Sequence, residues 1–270
     1  MKVFQSTLFL TTAAALFTIP SGAWSQDAPE SIDLNDPDLV FVDDSVIPIP
    51  LEIFASLDKL GNQEWDTQIV GRNIQVDANR SRTALLFGLV VSDGFIAVQA
   101  KDKEAVKRIG REVLKLAGSL GVSSSVEAHA NAIVNGAGRS DWDLVRQELD
   151  RTRQTVVNKM TELRDEELVA LVSIGGWLGG TEALASVLRE NYSAEGSDLL
   201  NQPDLVKQLK EDFNSLPKRA RRGKIFSQVS LTLEHLESLM RSDERGAISE
   251  GNVIEISVAT KNLVKAIYES

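Results

Sequence analysis

An all-α fold is predicted, a single-domain bundle of roughly eight helices, from three features of this 270-residue chain. From residue 51 onward, apolar residues recur at helical spacing. No run alternates apolar and polar residues as a half-buried strand does. Two long segments, Ala84 to Ala100 and Leu168 to Ala185, are apolar nearly all round, the pattern of helices at the centre of a bundle.

Two segments precede that domain. Residues 1–25 read as a secretory leader: Lys2 supplies a positive start, Leu8 to Ile19 an apolar run, and Ala23-Trp24-Ser25 a small-x-small cleavage site. The run is shorter than the roughly 20 residues a membrane span needs. The expectation is therefore an exported protein, periplasmic or extracellular, with no membrane span once the leader is removed. Residues 26–50 read as an extended acidic arm crowded with aspartates from Asp27 to Asp44, in which Pro29, Pro37, Pro48 and Pro50 oppose helix. Within it, Leu39-Val40-Phe41-Val42 could dock on the main body. A calcium loop needs alternate acidic positions, a central glycine and a closing glutamate; here Pro37 interrupts and the glycine is missing.

The helical domain spans residues 51–270. Val106, Ile109, Val113, Leu116 and Leu120 form one stripe. Gly121 to Ser125 and Gly136-Ala137-Gly138 read as turns. Ser140 is expected to cap the next helix, whose stripe is Trp142, Val145, Leu149, Thr152, Val156, Met160 and Leu163. Pro203 suits the first turn of a helix carrying Leu205, Leu209 and Phe213. Further stripes run from Phe226 to Met240 and from Val253 to Ile267, the latter with Ser249 as cap. Gly88 to Ala97 aligns without gaps on Ala170 to Gly179, and Asp143-Leu144-Val145 is echoed by Asp204-Leu205-Val206. A duplicated helical unit leaves such a trace, and so does chance in simple helical sequence.

Composition narrows the function classes. The chain has no cysteine and two histidines, which removes thiolate chemistry and leaves too few imidazoles for most zinc sites. No metal and no cofactor are expected. A net charge of −10 disfavours nucleic acid, whose binding relies on Lys and Arg.

Five features remain as candidates. Gly175, Gly176, Gly179 and Gly180 flank Trp177 inside an apolar helix, and each glycine costs about 1 kcal/mol against alanine there. Close helix crossing is the favoured reason. A helix break capped by Thr181 and a ligand surface beside Trp177 are the others. Asp93 interrupts the first apolar segment, so it faces outward, pairs with an arginine such as Arg111, or serves as a functional acid. Glu127 and Glu182 join it as weak catalytic candidates. His129 and His235 read as residues at the edges of their stripes. Lys218, Arg219, Arg221, Arg222 and Lys224 make a basic cluster fit for an anion, an acidic partner or the chain's own acidic arm.

The preferred expectation is a non-enzymatic exported protein that binds a protein or small-molecule partner through its bundle. The alternative is a carboxylate-dependent hydrolase acting on cell-envelope polysaccharide, with Asp93, Glu127 or Glu182 as its acids.

Overall fold

The computed structural model describes residues 57–61, 63–69, 71–72, 74–75, 78–241 and 247–270. The expected leader and acidic arm lie outside these residues. Among the described residues there are nine helices and no strand. They are α1 (Arg80–Gln99), α2 (Lys103–Leu120), α3 (Ser123–Gly138), α4 (Trp142–Glu162), α5 (Glu166–Glu190), the short α6 (Ala194–Ser197), α7 (Pro203–Ser215), α8 (Lys224–Leu239) and α9 (Glu250–Glu269). The chain is an all-α helical bundle.

The two apolar segments are α1 and α5, and they make the largest helix–helix interface. Each is long and apolar enough to cross a membrane, and most of each is buried inside the molecule. Helices α2, α3 and α4 pack in sequence beside α1, after which the chain returns to lay α5 across α1. Helix α9 covers α5 and pairs with α8, which also holds α7. Arg82 ties the start of α1 to the end of α9. Its guanidinium is almost wholly buried and donates to Ser270 Oγ at 2.7 Å, the Ile267 carbonyl at 3.1 Å and the Gln75 carbonyl at 3.2 Å.

Four successive helices end in the same way. Lys101, Gly121, Ser140 and Arg164 take left-handed φ angles of 56°, 83°, 62° and 57°. In each case the next amide bonds back to the helix, as Asp102 does to the Ala97 carbonyl at 3.0 Å and Asp165 to the Met160 carbonyl at 2.9 Å. This is the Schellman closure, for which glycine is the usual residue. Only Gly121 is a glycine. In two of the junctions an aspartate follows at once and caps the next helix: Asp102 accepts from the Glu104 and Ala105 amides, and Asp141 from the Leu144 amide.

Two sequence expectations are corrected here. Asp141, not Ser140, caps α4, because Ser140 is spent as the left-handed residue. Gly136 to Gly138 is the last turn of α3, not a loop: a Cβ on Gly136 would stand 3.0 Å from Val145 Cγ2, so the missing side chain lets α4 pack close. Ser140 is exposed and a left-handed L-residue costs roughly 1–2 kcal/mol. Ser140→Gly is therefore expected to stabilise the fold by up to about 1 kcal/mol after glycine's extra unfolded-state freedom is subtracted. A lowered thermal midpoint would show that Ser140 is not strained.

Candidate functional site

The glycines divide into two pairs with different surroundings. A Cβ on Gly175 would lie 2.1 Å from the Leu85 carbonyl oxygen, and one on Gly88 would lie 2.1 Å from that of Val172. Backbone meets backbone at this crossing. A Cβ on Gly179 would reach Ser92 Oγ at 1.9 Å. Gly176 and Gly180 sit on the neighbouring face. A Cβ on Gly176 meets nothing nearer than the Gly88 carbonyl oxygen at 3.7 Å, and one on Gly180 meets nothing within 4 Å. The helix is unbroken from Glu166 to Glu190, so Thr181 caps nothing. The expectation of one shared reason for the four glycines is corrected: Gly175 and Gly179 allow the crossing, whereas Gly176 and Gly180 leave space.

That space belongs to a cavity of about 350 Å³. Its base is α1 and α5, through Gly88, Val91, Gly176 and Gly180; its sides are α2, α3 and α4. Leu199, Leu200, Gln202 and Leu205 close another side. The Trp177 indole borders it, held by a hydrogen bond from Nε1 to Gln202 Oε1 at 3.1 Å. Val91, Phe95, Val113, Ile133, Leu149 and Val172 line it and keep part of their surface accessible, although they lie within the body of the bundle. The hydroxyls of Ser92, Ser173 and Thr152 are turned to their own helix carbonyls, at 2.7, 2.9 and 2.6 Å. The lining is thus apolar, with one charged residue, Arg153 of α4.

A polar cluster lies elsewhere on α1 and α5. Arg72 donates to both Glu182 oxygens at 3.0 and 2.9 Å and stands 3.8 Å from Asp93. Its guanidinium lies 4.8 Å from the centre of the Tyr268 ring, and the Tyr268 hydroxyl donates to Asp93 at 2.9 Å. Asp93 therefore pairs with Arg72 and Tyr268, and not with Arg111 as the sequence suggested. Burial pushes the Asp93 carboxyl up to about 6, against the opposing pull of Arg72 and the Tyr268 hydroxyl. Burial, then the Asp93 charge, raises the Tyr268 hydroxyl well above its usual range. Burial works against the Arg72 charge, but Glu182 and Asp93 outweigh it and raise its pKa.

Glu127 is exposed on α3, apart from this cluster. Its neighbour His129 faces α4, where Nδ1 meets Glu148 at 2.8 Å and Nε2 meets Thr155 at 3.1 Å. The His129 bond, supported by Arg151, holds the Glu148 carboxyl below its usual range despite burial. Carboxylate, imidazole and hydroxyl follow the order of a nucleophile relay. Thr155 is mid-helix, however, where the surrounding amides are spent on the helix and none is free to hold an oxyanion. His235 is exposed, 3.9 Å from Glu255.

The basic cluster is partly committed within the fold. Arg219 pairs with Glu167 at 3.1 Å, and Arg221 donates to the Leu216 carbonyl at 3.1 Å. Lys218 and Arg221 border a shallow groove with Phe213, Phe226 and Leu231. Lys224 opens α8. The expected contact with the acidic arm lies outside the described residues. Among the described residues, no group of three or more His, Asp and Glu side chains could hold a metal ion.

Sequence reasoning missed Arg72, Tyr268 and Arg153. Arg72 and Tyr268 approach from opposite ends of the domain, so nothing local marks them. Arg153 did carry a signal: it stands four residues after Leu149 and three before Val156, on their side of α4. No protein-family model, curated protein or solved structure matches the chain.

Proposed function

We propose that this chain is an exported, non-enzymatic binding protein that holds a small apolar molecule in the cavity between the α1–α5 crossing and helices α2–α4. The observation that carries the reading is the cavity itself. Its volume of about 350 Å³ falls within the ~300–1,000 Å³ range of small-molecule sites, and its lining is almost wholly apolar. Two glycines that the crossing does not require keep it open. The leader expected over residues 1–25 supports action outside the cytoplasm.

The carboxylate-hydrolase reading draws support from the raised Asp93 carboxyl, which suits a general acid. Against it, Asp93 and Glu182 are both engaged by one guanidinium, and Asp93 by Tyr268 as well. A structural role accounts for these bonds.

Filling the cavity tests the binding reading. N-Phenyl-1-naphthylamine, a neutral dye that brightens in apolar surroundings, is expected to bind the full chain saturably at one site. Gly180→Leu places a side chain where none now stands, so the dye should bind at least about tenfold more weakly while the thermal midpoint is held or raised. Unchanged dye affinity in a folded Gly180→Leu protein would overturn the proposal, as would the absence of saturable binding to the native chain.

A further inference from the structure

Helix α4 presents Leu149, Thr152, Arg153, Val156 and Val157 to the cavity, one face at helical spacing. An arginine on that face is costly unless its guanidinium has partners, because burying a charge without them loses its hydration. Yet the Arg153 Nε is buried and donates to nothing. Its one side-chain bond is a long contact from Nη2 to Gln154 at 3.4 Å, made on the exposed side of the residue. Asp150, one turn earlier on α4, forms no ion pair with it and has a buried oxygen without a partner of its own. Every other side chain lining the cavity is uncharged. The wall thus combines an apolar interior with one half-buried cation whose Nε has no protein partner.

We infer that the ligand is a single-chain amphiphile with a carboxylate head, its hydrocarbon in the cavity and its carboxylate on the Arg153 guanidinium. This rests on the reading of the cavity as a ligand site and names its ligand class. A planar guanidinium donates two parallel hydrogen bonds to a carboxylate, which an alcohol of the same chain length cannot match. The chemistry also explains why an arginine is placed there. The apolar residues on either side would satisfy a purely hydrocarbon ligand, whereas the Arg153 Nε, which has no protein partner, gains one when a carboxylate enters the cavity.

The experiment compares dodecanoate with 1-dodecanol, each displacing N-phenyl-1-naphthylamine from the full chain at pH 8, where the carboxylate is ionised. Both should bind, with dodecanoate about tenfold tighter, the usual scale for a hydrogen bond to a charged group. Arg153→Met keeps the apolar stem, and should abolish that preference while leaving dodecanol affinity unchanged. Equal binding of acid and alcohol by the native chain overturns the inference and leaves the apolar cavity standing. A preference that persists in Arg153→Met overturns it as well, by placing the anion elsewhere. Binding of neither compound overturns the inference and the cavity reading together. Should Arg153→Met fail to fold, the comparison on the native chain still decides between acid and alcohol.

Discussion

Gly175→Ala is expected to destabilise the protein by about 3 kcal/mol or more, although alanine is the better helix former. The added methyl would stand 2.1 Å from the Leu85 carbonyl oxygen and 3.2 Å from the Leu89 amide nitrogen. Both are backbone atoms of a buried helix, so no rotamer change relieves the clash and the whole crossing must widen. Gly88→Ala should behave alike, since its methyl would meet the Val172 carbonyl at 2.1 Å. Gly179→Ala should cost less, because its nearest obstacle is the Ser92 hydroxyl, which can turn away at the loss of one bond to Leu89, leaving the Ser92 Cβ, at 3.0 Å, to give way slightly. Gly180→Ala should be neutral or stabilising by up to about 1 kcal/mol, having space and gaining helix propensity. Denaturant unfolding of the four variants gives the order directly. Gly175→Ala within about 0.5 kcal/mol of the native protein would refute the backbone crossing.

Arg72→Met should cost about 3–5 kcal/mol at pH 7.5, because it strands two carboxylates on one buried cluster. The side chains of Arg72, Asp93 and Glu182 are 15%, 18% and 15% exposed, so solvent screens the loss only slightly. The cost should depend on pH. In the folded protein Asp93 titrates near 6, against an ordinary value of 3.8. The folded state therefore holds that proton more tightly than the unfolded chain, and this group's contribution is full below about 4 and is lost as pH rises through 6. Removing Arg72 takes away the cation that tempers this effect. The destabilisation measured by urea should accordingly be smaller at pH 5, where Asp93 is largely protonated, than at pH 7.5. An equal loss at both would mean that Arg72 acts through packing on Tyr268 and not through charge.

Much of the fold was legible because its helices obey the 3.6-residue period and its two central helices lack a polar face. The same lack of polarity identified α1 and α5 without saying what each faces, since a helix apolar all round has no preferred direction in its sequence. The junctions were harder. Among the four junctions from α1 to α5, glycine marks the left-handed helix end at Gly121 alone; Lys101, Ser140 and Arg164 do the same work with side chains that carry no such signal. At the candidate site, the glycine spacing exposed two shared faces but could not say which would touch α1 and which would stay open. That depends on the rotation of α5, set by partners far away in the chain. Asp93 stood out because a carboxylate breaks an apolar run, yet Arg72 and Tyr268 are brought to it only by tertiary packing.

The backbone contact at Gly88 and Gly175 also separates what can move from what cannot. Two helices that meet through main-chain atoms have no side chains at that point to rearrange, so the base of the cavity is a fixed floor. Any swing that widens the cavity belongs to its other walls, which are α2, α3 and α4 on one side and the Leu199–Leu205 segment on another. That three-helix unit joins the α1–α5 pair at one short connection on each side, Lys101 at the start and Arg164 at the end, both already in left-handed backbone. Arg153 stands on that unit, so its distance from the floor is set by how α2, α3 and α4 pack on the α1–α5 pair.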